Sequence, residues 1–182
     1  MKNRLRLTKS STIGYLLILL GLLFVTIPLI RRSYNDYSAM ASRKKFEQSQ
    51  AQRSDKEVAE ETENAKEYNE IVRNSDVTVS DPFTAEDYET RYEKFITTNT
   101  PFAYLSIPKL DKHLPIYLDA TLDHISIGVA QIDGTSIPIG GKSTRSVISG
   151  HRGWWTDTMF LYIDQLEPGD YIYIERAEET MR

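Results

Sequence analysis

The sequence predicts a mainly β domain carried behind an N-terminal transmembrane helix and a helical stalk, and three features predict it. The stretch from Ile13 to Ile30 has no charged residue. The stretch from Ser33 to Asn74 has neither Gly nor Pro and is rich in Ala, Glu, Lys, Gln and Arg. From Thr100 the texture changes to short β-branched and aromatic runs punctuated by Pro and Gly, the pattern of strands and turns.

Length and composition bound what the chain does. Its 182 residues give room for one ordinary domain plus some extra length, which excludes a large multi-domain enzyme. The net charge is −4, and the Lys and Arg residues that cluster sit beside the apolar segment. They read as membrane flanks, and nucleic acid is not expected as a partner. There is no cysteine, so these residues supply no disulfide, no thiolate metal ligand and no cysteine nucleophile.

The apolar run of residues 13–30 is 18 residues long, about 27 Å as a helix against a hydrocarbon core of roughly 30 Å. A cleaved signal peptide is the competing reading. Lys2, Arg4, Arg6 and Lys9 form a basic leader, and Ala39-Met40-Ala41 has the small-x-small cleavage pattern. The run exceeds an ordinary signal-peptide core, and Arg31-Arg32 separate it from the alanines, which favours an uncleaved anchor. Basic residues lie on both sides, so their count does not set orientation. The short basic tail of residues 1–12 followed by a long acidic region favours the N-terminus inside and the bulk outside.

Residues 31–75 read as a helical stalk with a mostly solvated face, in which only Tyr68, Ile71 and Val72 make a local apolar cluster. A second segment, residues 76–97, opens on the Asp81-Pro82-Phe83 turn. It continues as a helix capped at Thr84, with Tyr88, Tyr92 and Phe95 on one face. In residues 98–182, strands are expected at Ala103 to Ile107, Leu114 to Leu118, Ser146 to Ser149 and Tyr171 to Ile174. A helical turn capped by Thr121 is expected to run to Ala130. Four or five strands are fewer than a small barrel needs to close.

Three histidines bound the possible chemistry. His113 lies in a polar bend and His124 in the short helical turn, each most simply a structural residue. Neither pairs with a carboxylate or a second histidine at ligand spacing, so no metal site and no cofactor are read. His151 differs in ending a strand between Gly150 and Gly153, beside Arg152, Trp154 and Trp155, where a rigid scaffold presents side chains to ligands. The plain alternative is a turn histidine stacked on tryptophan. No serine sits in a G-x-S-x-G elbow, and no acidic residue is specifically placed to orient the imidazole.

Taken together, Ser136-Ile-Pro-Ile-Gly-Gly141, Ser146-Val-Ile-Ser-Gly-His-Arg-Gly153, and then Phe160, Asp164, Leu166, Gly169 and Asp170 resemble the sortases, specifically the class C pilin-assembling sortases of Gram-positive bacteria. Asp81-Pro82-Phe83 is similar to that class's lid motif, and the basic N-terminus with its apolar anchor also fits. The resemblance implies that residues 98–182 form the first half of a sortase β-barrel. It also implies a membrane-bound transpeptidase that cleaves LPXTG-type sorting signals of pilins or surface proteins and passes the acyl group to a pilin lysine. His151 matches the catalytic histidine, and Asp81 and Phe83 match lid residues that block the groove. Arg152 does not match the family's oxyanion-stabilising arginine, which lies later in the chain. The family's T-L-x-T-C segment and that arginine would lie beyond Arg182, so the resemblance implies a chain cut short of its nucleophile, without standalone activity. A non-catalytic sortase-like binding protein, and an unrelated anchored β-domain, are the two alternatives.

Overall fold

The computed structural model of the chain describes residues 9–74, 79, 92, 100–153, 158–176 and 180–181. The lid residues Asp81 and Phe83, Trp154 and Trp155, and the helix expected after Thr84 lie outside the described residues, Tyr92 excepted. The chain divides into two compact units, residues 1–38 and residues 39–182.

In the first unit the apolar run is helical, as its freedom from charge and its leucine content dictate. It belongs to helix α1, Lys9–Ala51. Thr12–Arg31 is long and apolar enough to cross a membrane, and its large side chains from Ile13 to Ile30 are exposed. A signal sequence near the N-terminus meets the same criterion of length and composition. Pro28 sits inside the helix, and the Thr26 hydroxyl donates to the Leu22 carbonyl at 2.9 Å.

In the second unit α1 ends at Ala51 and α2 begins at Asp55, ending at Asn74. A capping box makes the break: the Glu57 carboxylate accepts from the Ser54 N–H and hydroxyl at 2.8 Å each, and the Glu57 N–H donates back to the Ser54 hydroxyl at 3.3 Å. These bonds hold the Glu57 carboxyl below the usual range, the Ser54 N–H being the largest cause. The helix is not solvated all round. Ala65, Tyr68 and Asn69 are buried and Val72 packs against the core, so positions i, i+3, i+4 and i+7 face inward while Ile71 is exposed.

The sheet has six strands in the order β4-β3-β2-β1-β5-β6 among the described residues. They are β1 Ala103–Ile107, β2 Lys112–Leu118, β3 Val129–Gln131, β4 Ile148–Ser149, β5 Tyr173–Glu175 and β6 Thr180–Met181. β1 and β2 form a hairpin, Leu105 opposite Leu114, closed through Asp111 in the left-handed conformation. β2 and β3 are parallel, joined by the short helix α3, Leu122–Ile127, whose Thr121 cap accepts from the His124 N–H. The helical turn expected to reach Ala130 therefore stops at Ile127. Gly128 follows because a Cβ there would come within 2.6 Å of the Pro115 carbonyl oxygen, and Val129 then pairs with Ile116 as strand.

The larger core cluster lies on one face of this sheet, where Leu105, Ile107, Leu114, Ile116 and Val129 join Ala65, Tyr68 and Tyr92, and a smaller one joins Tyr117 and Ala130 to Ile125 of α3. Beside the sheet, the last turns of α1 contact β1 and β5. The Phe46 ring lies 5.0 Å from that of Tyr104, and Arg43 pairs with Glu175 at 2.6 Å. Burial, helped by Tyr117 and Glu47 and partly offset by Arg43, pushes the Tyr104 hydroxyl up to about 12. The mainly β description fits the residues after Thr100. Over the described residues helix outweighs strand, because α1 and α2 take 43 and 20 residues.

Candidate functional site

His151 follows β4 directly, and its place is set by the strand that delivers it. β4 pairs antiparallel with β3, Ala130 opposite Ser149 and Gln131 opposite Ile148. Gly150 then lies so close to the neighbouring elements that a Cβ would meet Val129 Cγ1 at 2.7 Å and the Phe160 ring at 3.0 Å. The Phe160 N–H donates to the His151 carbonyl at 3.1 Å and fixes the backbone on the far side. His151 as a whole is half-buried, between the buried core and the exposed Arg152. Gly153, at φ +145°, turns the chain in a conformation a side chain would strain. Arg152 is exposed and pairs with Asp164 at 3.3 Å, a weak surface contact.

The Ser136–Gly141 segment is built into the same unit. Ile132 N–H donates to the Val147 carbonyl at 2.9 Å, and Ser136 N–H to the Arg145 carbonyl at 2.9 Å. The Ser136 hydroxyl accepts from Arg145 N–H at 3.1 Å, and the Thr135 hydroxyl accepts from Val147 N–H at 3.2 Å. Residues 132–136 and 145–149 therefore form one ribbon that ends at His151. Gln131 sits wholly buried beneath it, its amide donating to the Thr135 carbonyl at 2.6 Å and hydroxyl at 2.9 Å.

Helix α2 grips the other side of that ribbon. Asn69 makes a two-way clasp with the backbone of Ile137, donating to its carbonyl at 3.1 Å and accepting from its N–H at 2.6 Å. The Tyr68 hydroxyl donates to the buried Asp133 carboxylate at 2.7 Å and accepts from Gly134 N–H at 3.0 Å. Burial first, and then the bond to Asp133, hold the Tyr68 hydroxyl well above the ordinary tyrosine range, so it remains a donor at neutral pH. The Tyr68 ring stacks on Tyr92 at 5.0 Å. Tyr68 had been legible only as an apolar position, and Asn69 and Asp133 had carried no signal of a role.

The other histidines have structural surroundings. His124 stacks on Tyr117 at 4.8 Å, and its Nδ1 contacts the Asp119 carbonyl at 2.7 Å. His113 stands on β2 against the Arg43 guanidinium, with its Nδ1 accepting, a position on the strand and not in a bend. A cavity of about 420 Å³ opens elsewhere, between the α1–α2 junction and the β1–β5 pair. Its lining includes Arg43, Phe46, Arg53, Tyr104 and Arg176, none of them candidate residues. Its arginines are engaged by carboxylates, Arg43 by Glu175 and both Arg53 and Arg176 by Glu61, so it offers little unspent charge.

The sequence profile of the Sortase domain matches residues 105–182. Solved structures match over more of the chain. Against sortase C1 of Streptococcus agalactiae in complex with MTSET, the TM-score is 0.66 at 28% identity, covering 74% of this chain and 68% of that one. Against sortase C-3 of Streptococcus pneumoniae it is 0.67 at 32% identity, covering 76% and 65%. Against the pilus-related sortase C of Group B Streptococcus it is 0.63 at 31% identity, covering 74% and 69%. The chain belongs to the sortase family. Its structural counterparts are class C sortases, and the likeness extends beyond the profile match to the helical region before β1. No curated protein matches the chain by sequence. The 182 residues of the sequence include no cysteine.

Proposed function

We propose that this chain is the membrane-anchored scaffold of a class C type sortase, acting on pilins or surface proteins that carry LPXTG-type sorting signals. The observation that carries the reading is the placement of His151: a half-buried residue just past β4, its backbone held by the tight packing at Gly150 and by the Phe160 hydrogen bond to its carbonyl. The division into a cytoplasmic tail of residues 1–12, an anchor of 13–30, a stalk of 31–75, a lid segment of 76–97 and a barrel portion of 98–182 belongs to the same proposal. So does an extracellular location for the C-terminal part.

The chemistry needs a thiol that these residues do not supply. With a cysteine thiolate present, sulfur attacks the threonine carbonyl carbon of the sorting signal. The C–N bond breaks, and the His151 imidazolium gives its proton to the leaving amine. A lysine amine then attacks the thioester, the thiolate leaves, and the imidazole takes the proton. A histidine beside a thiol also favours the thiolate by its positive charge. Asp81 and Phe83 are assigned to a lid that occupies the groove, on the match of Asp81-Pro82-Phe83 to the class C motif.

The test uses this chain in membranes, completed with the cysteine-bearing segment of a class C relative and given a sorting-signal peptide and an amine acceptor. Mass spectrometry should find the ligated product. Replacing Asp81 and Phe83 together by alanine should increase its rate of formation, and an unchanged or lower rate would remove the lid assignment.

A further inference from the structure

Between α2 and His151 runs a connected set of polar contacts, buried where Tyr68 and Asn69 hold the 133–137 segment and part-buried where residues 135–136 meet 145–147. Asn69 holds both backbone groups of Ile137, and Tyr68 holds Asp133 and Gly134. From that grip the ribbon of residues 132–136 is tied to residues 145–147 by four hydrogen bonds, and the same strand ends at His151. Both α2 residues are buried, Tyr68 at 1% exposure and Asn69 at 6%, where an apolar residue would serve if filling space were the whole purpose. A buried amide needs its partners, and Asn69 finds them in a single peptide unit, which sets the position of that unit along and across α2.

We propose that Tyr68 and Asn69 are positioning residues for His151. The helix that follows the anchor thereby sets the location of the imidazole through the 132–149 ribbon. The inference rests on the reading of His151 as the proton-transfer residue, although its structural half stands by itself. Neither residue touches the reacting atoms. Their action is on where the strand end lies, and in catalysis a displacement of about 1 Å is enough to cost roughly 100-fold in rate.

The experiment is amide hydrogen exchange and imidazole NMR on the full chain in detergent micelles, comparing wild type with Asn69→Ala and Asn69→Asp. In Asn69→Ala, exchange at Val147 and Phe160 should accelerate about tenfold or more and the His151 ring resonances should move. The Phe102 and Gly128 amides and the rings of His113 and His124 should stay as they are. Asn69→Asp keeps an acceptor for the Ile137 N–H and should lie between the two. Should Asn69→Ala fail to fold, Tyr68→Phe, which keeps the ring on Tyr92 and loses only the hydroxyl, is read by the same signals. Uniform acceleration of all amides, or an unmoved His151 ring in a folded variant, would overturn the proposal. In the chain completed with a cysteine-bearing segment, the same variants should lower kcat and leave KM within about twofold. Turnover unaffected by His151→Ala would instead sink the catalytic reading and leave the exchange result standing, so the two failures are distinct.

Discussion

Two glycines and one asparagine show how single residues carry the fold. Gly128 and Gly150 are both sites where no Cβ fits, but the neighbour differs. At Gly128 it is the backbone oxygen of Pro115 at 2.6 Å, and at Gly150 it is the Val129 side chain at 2.7 Å and the Phe160 ring. A side chain can shift and a paired strand cannot, so Gly128→Ala should lower the urea midpoint more than Gly150→Ala. Overpacking of this kind costs about 1–3 kcal/mol, and equal midpoints for the two variants would contradict this distinction between backbone and side-chain neighbours. His151 was legible because glycines flank it at the end of a β-branched run. Asn69 was not, since a search for apolar spacing passes over a polar residue whose partners lie 68 positions away.

At the scale of elements, the α1–α2 break has a signal of its own in the sequence. The absence of Gly and Pro from Ser33 to Asn74 predicts one continuous helix, yet Ser54-Asp55-Lys56-Glu57 is a capping box, which starts a new helix. Ser54→Ala should destabilise α2 by about 1 kcal/mol. Because Glu57 is held below the ordinary carboxylate range, its contribution is present above its unfolded value and is lost as pH falls through the lowered folded value. Circular dichroism followed into acid should therefore lose helix earlier in Ser54→Ala than in wild type, and superimposable acid transitions would contradict this. β1 was legible residue for residue, whereas β3 and β6 were not. Three and two residues are too few to show a period, and β3 exists because Gly128 lets Val129 reach Ile116.

At the scale of the whole molecule, the order of parts along the chain was legible: apolar helix, charged helix, then strands. The sheet order was not, because β5 joins β1 across 66 or more intervening residues and no local pattern records that pairing. The buried face of α2 makes the segment after the apolar helix part of the domain it precedes, so the charged region is more than a spacer. An uncleaved Thr12–Arg31 helix predicts that the expressed chain stays with membranes in alkaline carbonate, while release to the soluble fraction at a mass shortened near Ala41 would show a cleaved leader. The central claim is that His151 is the proton-transfer residue of a sortase site. The most direct measurement is the cleavage rate of an LPXTG-type peptide by the chain completed with a cysteine-bearing segment, with and without His151→Ala. A loss of about 100-fold or more is the predicted result, the ordinary scale of general acid–base catalysis, and equal rates would contradict it.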